Sequence, residues 1–375
     1  MFWVPHVSTQ KPVAVHLLTA DLRPDATPVL RLLLNRPEVA EAHYVCHLGA
    51  GRITPLGVHA TRVHAPAPLR WLRELALRRH LARLRLWDAP RPTVLHAWSP
   101  LAAAWACGLT AGQRPLLVEV DPGDDLRQVA RWSATGTLAL VCRSNTLRDR
   151  LLELGIPPVR IRCIRPPVAN SPGAPARRAA TRQMLGLSDD DRAVLVLPPL
   201  TRAGGGFVAT WAALLAEKVR RDVRLVLPAD GPDTLRVRRL IEDCRHSWMV
   251  RWVPPHLPLR DTLAACDLAA FTPVADAPLS GLAAAIAAGT PIVAAGVPTV
   301  RELLTGRTTG WLCRPGDPKD AARALLHALE HPDDSHRQAQ HARGSLGRSF
   351  AEESISAEYK NVYARLADRR PVSDP

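Results

Sequence analysis

The sequence predicts an α/β protein of two consecutive doubly wound domains, each a parallel sheet covered by helices on both faces. Short apolar runs alternate with helical segments, a stretch rich in Pro, Ala and Arg (166–182) interrupts them, and the alternation then resumes. Continuous apolar runs are typical of strands buried on both faces of a parallel sheet. Their alternation with helices is typical of the doubly wound class. A chain of 375 residues is long enough for two such cores.

The first domain is predicted over 1–165. We expect its strands at 13–18, 42–47, 94–96, 116–120 and 138–142, and helices at 29–34, 101–107 and 146–154. Ser144 precedes the last of these helices and is a typical N-cap residue.

After a linker at 166–182, the second domain is predicted over 183–345. We expect strands at 193–197, 223–227, 249–253 and 268–271, and helices at 207–219, 235–244, 259–265 and 318–331. A further helix, 282–288, ends at Gly289, a typical C-cap, and runs directly into a strand that starts at Pro291. Residues 346–375 are predicted to form a last helix, over 350–367, and a tail that returns toward the first domain.

Composition excludes several classes of protein. No apolar run reaches the roughly 18–20 residues of a membrane span, and the first residues lack the pattern of a signal peptide. The seven cysteines form no C-x-x-C pair, so we expect reduced thiols, no zinc site and a cytoplasmic protein. No metal and no cofactor are expected.

The charge is strongly basic: 49 Lys and Arg against 35 Asp and Glu give a net charge of +14. Such a surface attracts phosphates and acidic lipids, although a coding bias toward Arg would produce the same excess. Few aromatic residues accompany the arginines, so a nucleic-acid partner is not expected. Residues 69–87, rich in Arg and Leu, predict either a basic amphipathic helix peripheral to the inner face of an anionic membrane or a surface helix docked by its leucines.

Four ordered segments resemble the retaining glycosyltransferases of family 4. Residues 140–168 resemble the family segment in which a serine opens a helix ending in "LG", and A-A-C-D-L-A-A-F-T-P (264–273) resembles "aaDvfvlPS". A-A-I-A-A-G-T-P-I-V-A-A (284–295) resembles "EAmAaGlPVVas", and residues 297–318 resemble "vpEli.dg.tGllvppgDp". The resemblance runs from about residue 140 to 365.

This resemblance implies the GT-B fold, in which two Rossmann-type domains face each other across a cleft. It implies a nucleotide-sugar donor bound mainly by the second domain, an acceptor held by the first, and transfer with retention of configuration and without metal. A departing diphosphate then has to be stabilised by Arg, Lys and helix N-termini. The expected acceptor is a glycan, a lipid-linked sugar or another cell-envelope molecule.

Several functional positions of the family are altered here. The family's pair of acids falls on Asp276 and Ala284, so a methyl group replaces the acid that would hold the ribose. Its phosphate-binding arginine and lysine fall on Pro199 and Gly204, within P-P-L-T-R-A-G-G-G (198–206).

The remaining candidates for donor binding lie in three places. They are Arg202, Gly204, Gly205 and Gly206 in the turn, Gly281 and Leu282 at the start of the next helix, and Glu302. Arg202 supplies a cation, and backbone N–H groups before a helix suit a phosphate. The alternatives are a flexible strand-to-helix turn with an exposed arginine and, for Glu302, a helix-capping acid.

Asp276 and His96 are the candidate catalytic residues, and Trp98 and Ser99 are the candidates on the acceptor side, within H-A-W-S-P (96–100). Many family members have a histidine where this chain has Trp98. The alternatives are an acid favoured near a helix N-terminus for Asp276 and a structural histidine at the end of a strand for His96.

Two functional hypotheses follow. The first is an active glycosyltransferase of the hexosyltransferase type with an unusual donor site. The second is an inactive pseudo-glycosyltransferase that binds a sugar or a protein, because the usual donor-site Arg, Lys and second acid are absent. A sugar-nucleotide epimerase is a third class, but the carboxylates that it needs are not evident.

Overall fold

The computed structural model describes residues 11–19, 26–48, 60–63, 70–84, 86, 92–106, 115–133, 138–168 and 175–373. The chain divides into two compact units. Unit 1 comprises Met1–Pro166 and Glu352–Pro375, and unit 2 comprises Pro167–Ala351. The last helix of the chain therefore belongs to the same unit as the N-terminal strands.

Unit 1 contains a seven-stranded parallel sheet with the order β3-β2-β1-β4-β5-β6-β7. Its strands are β1 (Val13–Leu18), β2 (Ala42–Leu48), β3 (Ala60–Val63), β4 (Thr93–Ala97), β5 (Leu116–Val120), β6 (Leu138–Cys142) and β7 (Ile161–Cys163). Its helices are α1 (Ala26–Leu34), α2 (Arg70–Arg83), α3 (Pro100–Ala106), α4 (Leu126–Ser133), α5 (Asn145–Glu153) and α14 (Glu352–Ala367). Apolar cores lie on both faces of the sheet, as continuous apolar strands require.

Unit 2 contains a six-stranded parallel sheet with the order β10-β9-β8-β11-β12-β13. Its strands are β8 (Arg192–Val196), β9 (Val223–Pro228), β10 (Val250–Val253), β11 (Leu268–Phe271), β12 (Ile292–Ala295) and β13 (Trp311–Cys313). Its helices are α6 (Pro175–Met184), α7 (Gly206–Glu217), α8 (Thr234–Asp243), α9 (Leu259–Ala265), α10 (Ser280–Ala288), α11 (Pro298–Arg301), α12 (Pro318–Glu330) and α13 (Pro332–Leu346).

Helix α6 corrects the predicted linker at 166–182. It begins at Pro175, in keeping with the tolerance of helix starts for proline. Arg178 donates to Asp267 at 2.7 Å, and Arg182, buried, donates to the Ala265 carbonyl oxygen at 2.9 Å. The arginines that suggested an exposed linker thus attach α6 to unit 2.

The basic helix predicted at 69–87 is observed as α2, and residues 69, 85 and 87 lie outside the described part of the chain. Leu77 and Leu81 are buried in the core of unit 1, which supports docking through leucines. Among the described residues, no helix is both long and apolar enough to cross a membrane. Binding to a membrane surface stays a prediction.

Each sheet has one position where the strand order reverses. In unit 1 it lies between β1 and β4, and in unit 2 between β8 and β11. In doubly wound sheets, ligands bind beyond the carboxyl ends of the strands at this position. In unit 2, a ligand site is therefore expected at the turn after β8 and the segment after β11.

Candidate functional site

The turn between β8 and α7 is folded tightly back on itself. The Thr201 N–H group donates to the Pro199 carbonyl oxygen at 2.8 Å, and the Gly204 N–H group donates to the Thr201 hydroxyl oxygen at 2.9 Å. The peptide bond between Pro198 and Pro199 is cis. The predicted flexible turn is thus a defined loop with internal hydrogen bonds.

The glycines of this turn allow close contact with the end of β11. Gly205 has a φ of +71°, and a Cβ atom there would lie 1.6 Å from the Thr272 carbonyl oxygen. The Thr272 hydroxyl donates to the Gly205 carbonyl oxygen at 2.9 Å. A Cβ atom at Gly204 would lie 2.8 Å from the Pro199 carbonyl oxygen. This backbone therefore has no room for the family's lysine at 204 unless the turn moves.

Arg202 lies exposed on the same turn. It has no hydrogen bond or ion pair to any residue that the structure describes. Some other arginines of unit 2 are engaged: Arg224 pairs with Asp191 at 3.0 Å, and Arg178 with Asp267 at 2.7 Å. The guanidinium of Arg202 is thus available to an anion beyond the carboxyl end of β8.

The N-terminal end of α10 lies against this turn. A Cβ atom at Gly281 would be 2.6 Å from the Pro198 carbonyl oxygen, so only glycine permits this approach. Leu282 is fully buried, so its side chain is not available to a ligand. The first N–H groups of a helix have no partner within the helix and attract anions. Gly204, Gly205, Gly206 and Gly281 thus all pack against residues at or just after the ends of β8 and β11, and Leu282 follows Gly281 in the chain.

Asp276, the first candidate catalytic residue, is half-buried between β11 and α10. Its Oδ1 atom accepts a hydrogen bond from the Thr299 N–H group at 3.3 Å. Thr299 lies in the first turn of α11, so the carboxylate is favoured by that helix dipole. The helix that Asp276 stabilises is α11 and not α10, before which it stands in the sequence.

Glu302 follows α11 directly, and its N–H group donates to the Pro298 carbonyl oxygen at 3.2 Å. It therefore lies at the C-terminal end of the helix, where an acid does not cap N–H groups. Glu302 thus does not cap the N-terminus of α11, and orientation of the loop below a donor stays a prediction.

His96 requires a correction. Its side chain is fully buried in unit 1. Its Nε2 atom lies 3.0 Å from Glu119 Oε1, and its Nδ1 atom lies 2.7 Å from the Tyr363 hydroxyl oxygen. Because an ionised carboxylate only accepts, Nε2 donates to Glu119 and Nδ1 accepts from Tyr363. Both ring nitrogens are engaged inside the core, so His96 is a structural histidine and not an acid-base catalyst.

Glu119 is the centre of a buried polar network that the sequence reasoning missed. Arg143 contacts Glu119 Oε2 at 2.7 Å, and the Tyr359 hydroxyl donates to Oε1 at 2.6 Å. Burial alone raises the pKa of this carboxyl, but the Arg143 guanidinium and the hydrogen bonds outweigh burial and leave the pKa below its usual value. A single charge inside the apolar strand L-L-V-E-V was the available signal.

The acceptor-side candidates are also buried. Trp98 is 1% exposed, and its Nε1 atom donates to His16 Nδ1 at 3.1 Å. The Ser99 hydroxyl oxygen accepts from the Ala102 N–H group at 3.1 Å and lies 3.3 Å from the Thr19 hydroxyl oxygen. Ser99 thus caps α3 and touches the end of β1 at the position where the strand order reverses. Direct contact of Trp98 with an acceptor is corrected to a packing role.

Comparisons with known proteins show that the sequence is similar to those of glycosyl transferases. Residues 204–331 match the family model described as Glycosyl transferases group 1. The chain is 29% identical over 247 residues to D-inositol 3-phosphate glycosyltransferase of Thermobispora bispora, covering 61% of this chain and 56% of that protein. It is 25% identical over 142 residues to N-acetyl-α-D-glucosaminyl L-malate synthase of Bacillus anthracis, covering 38% and 37%. The chain thus spans about half the length of these relatives or less.

Solved structures are similar to this protein in fold over most of the chain. HepE of Anabaena, solved with UDP and glucose, has a TM-score of 0.79 at 16% identity and covers 93% of this chain and 98% of its own. WaaG, a glycosyltransferase involved in lipopolysaccharide biosynthesis, has a TM-score of 0.71 at 15% identity and covers 93% and 99%. The fold class predicted from the sequence is confirmed: each unit is a doubly wound parallel sheet, and the chain is similar in fold to these GT-B structures. Over residues 204–331 its sequence matches the model of the group 1 glycosyl transferases, which confirms the resemblance to glycosyltransferases at that level.

Proposed function

We propose that this protein is a glycosyltransferase that takes a nucleotide-sugar donor at the carboxyl edge of the unit 2 sheet. The turn 198–206 and the start of α10 would hold the diphosphate, and Asp276 would face the sugar. Support comes from the family match over 204–331 and from HepE, which was solved with UDP and glucose. Transfer to a glycan or lipid-linked acceptor of the cell envelope, with retention and without metal, is part of the proposal.

The observation that carries the proposal is the position of Arg202. It is an exposed cation without a protein partner among the described residues, on a turn whose glycines pack closely against the ends of β8 and β11. A departing diphosphate needs such donors in place before the reaction. Arg202 would thus replace the family's arginine, whose position is occupied by Pro199.

The proposal is tested by the binding of nucleotides to the full chain. We expect UDP, GDP or a corresponding nucleotide sugar to raise the melting temperature in the presence of EDTA. Arg202→Ala should weaken binding about 10-fold to 100-fold, because a charge-assisted contact contributes about 1.5–3 kcal/mol. Arg239→Ala removes an exposed arginine from the middle of α8 and should leave binding unchanged. No stabilisation by any nucleotide would contradict the proposal.

A pseudo-glycosyltransferase is the second candidate, and two observations favour it. The turn leaves no space for a lysine at Gly204, and Ala284 in α10 supplies no carboxylate. In that case the nucleotide sugar binds but is neither transferred nor hydrolysed. A release assay for the free nucleotide, run at a donor concentration that saturates the wild type in the binding test, separates the two candidates.

A further inference from the structure

The end of α12 carries three side chains with the chemistry of metal ligands: His327, Glu330 and His331. One possible ligand atom from each lies within 4.8 Å of the others, and all three side chains are exposed. Residues spaced i, i+3 and i+4 lie on one face of a helix, and this is the reason why the three meet. They are the one group of this kind among the described residues.

We propose that this cluster binds a zinc ion, independently of the donor site. Imidazole nitrogen and carboxylate oxygen are common zinc ligands, at about 2.0–2.2 Å from the metal, and three protein ligands leave the fourth position to water. Ligand atoms around a tetrahedral zinc ion are therefore about 3.3 Å apart. Because the ligand atoms lie within 4.8 Å of one another, they would have to approach by at most about 1.5 Å to reach that spacing.

The ring of His327 is already oriented by its neighbours. It packs edge-on against Trp311, with 4.5 Å between the ring centroids. The Trp311 Nε1 atom donates to the Ser335 hydroxyl oxygen at 2.9 Å, and that hydroxyl donates to the Ala328 carbonyl oxygen at 2.9 Å. This chain of contacts joins α12, β13 and α13. Supporting contacts of this kind increase the affinity of a metal site by orienting its ligands.

The position at a helix C-terminus favours a cation. His331 directly follows the last residue of α12, and its N–H group donates to the His327 carbonyl oxygen at 3.0 Å. The C-terminal end of a helix carries partial negative charge that stabilises a positive ion. Because Pro332 begins α13, a bound ion would also hold the corner between the two helices.

Three arginines oppose cation binding. Arg220 interacts electrostatically with Glu330, although it is itself paired with a neighbouring aspartate. Arg307 and Arg337 line a cavity of about 620 Å³ beside His327. Arg337 forms an ion pair with Asp334, which reduces its effect on the cluster. Three ligands and the C-terminal end of a helix favour a bound cation. Of the two arginines that line the cavity, only Arg307 has no carboxylate partner among the described ion pairs.

The test is calorimetric titration of the full chain with zinc chloride after treatment with EDTA and its removal. The variant Cys244→Ser serves as the background, because Cys244 is an exposed free thiol and thiolates are common zinc ligands. We expect His327→Ala and His331→Ala each to weaken binding at least 10-fold. The control His256→Ala removes an exposed histidine from the loop after β10 and should change nothing.

Cobalt supplies an independent readout, because its visible absorption reports coordination by protein ligands. We expect a cobalt spectrum in the background protein that zinc abolishes and that His327→Ala lacks. The proposal is overturned if the background protein binds no zinc, or if His327→Ala and His331→Ala bind it as tightly as His256→Ala. Nucleotide binding should be the same in His327→Ala and wild type, so failure of this inference and failure of the proposed function are distinguishable.

Discussion

Tyr359 on the C-terminal helix donates a 2.6 Å hydrogen bond to Glu119 on β5, which joins side chains 240 positions apart in the chain. The same carboxylate contacts Arg143 at 2.7 Å and His96 at 3.0 Å. Tyr363 lies one helical turn further along α14, and its hydroxyl oxygen is 2.7 Å from the Nδ1 atom of His96. Since each of these groups is buried, the polar network specifies where α14 packs on unit 1.

The two tyrosines of α14 form a matched pair for testing this network. Tyr359→Phe removes a hydroxyl that donates to a carboxylate and accepts from Arg143 Nη1 at 2.9 Å. Tyr363→Phe removes a hydroxyl bonded to a neutral imidazole. Hydrogen bonds to charged groups contribute about 1.5–3 kcal/mol and neutral ones about 1 kcal/mol. We expect Tyr359→Phe to lower the free energy of unfolding of unit 1 about twice as much as Tyr363→Phe.

Urea denaturation of the full chain, monitored with a probe that reports on unit 1, measures the free energy of unfolding of both variants. Equal losses for the two variants would show that the charged part of the network adds no stability beyond its neutral part.

Histidine burial in unit 1 predicts sensitivity to acid. His16 is fully buried. Burial is the largest cause that lowers the pKa of His16 well below 6.5, and the neighbouring His96 and His43 lower it further. Burial lowers the pKa of His43 to about 4, against an opposing hydrogen bond to the Arg36 backbone. Arg143 and Glu119 act on the third histidine, His96: Glu119 raises the pKa of His96 and Arg143 lowers it.

In the unfolded chain these histidines become protonated below about pH 6.5, whereas in the folded chain they stay neutral. The unfolded state then binds more protons, so stability falls as the pH falls from 6.5 toward 4. Each histidine contributes about 1.4 kcal/mol per pH unit to this slope. We expect His43→Gln to reduce the slope and His256→Gln to leave it unchanged, measured by urea midpoints at pH 7 and pH 5. The same slope in all three proteins would contradict the prediction.

Much of the fold was predictable from the sequence, because parallel strands buried on both faces are continuous apolar runs. Predicted and observed strands coincide at Val13–Leu18, Leu116–Val120, Leu138–Cys142 and Leu268–Phe271. The elements that were missed lack this signal: β7 has only three residues, and α13 is largely polar. Helix α6 was taken for a linker because its arginines have partners, such as Asp267, that are distant in sequence.

The candidate site was predictable in part. Motif order indicated the turn 198–206 and the start of α10, which the structure brings into contact through Gly281 and Pro198. The same approach was misleading for His96, because burial depends on Tyr363 of a helix 267 positions away. Local sequence contains no information about such a contact.

Gly205 in the turn and Gly344 in α13 predict opposite effects of the same substitution, glycine to alanine. Gly205→Ala places a methyl group against the Thr272 carbonyl oxygen at a φ of +71°. We expect it to destabilise unit 2 by about 3 kcal/mol and to weaken nucleotide binding, because overlap and strained backbone both add cost. Gly344→Ala, within α13, meets no atom within 4 Å and should stabilise by about 0.5–1 kcal/mol.

Denaturation of both variants by urea provides the measurement, with UDP affinity as the second readout. If Gly205→Ala is as stable as Gly344→Ala, the turn is not held against β11 in the way described.

Ala284 offers a gain-of-function test of the proposed donor site. It is half-buried in α10, at the position where the family resemblance implies an acid that holds the ribose. If the turn with Arg202 holds the diphosphate, Ala284→Glu should add a hydrogen bond from a ribose hydroxyl to a carboxylate. Such a bond contributes about 1.5–3 kcal/mol, so nucleotide affinity should rise about tenfold or more.

The matched control is Ala287→Glu, which places the same charge on the same helix at a half-buried position beside Gln340 and Arg343. It should leave the affinity for UDP unchanged, and titration calorimetry with UDP and uridine separates the ribose contribution from that of the phosphates. Equal affinities for the two variants would show that residue 284 does not face the ribose. A gain seen with both UDP and uridine would instead place the ribose beside α10, and the missing acid would then account for weakened donor binding in this chain.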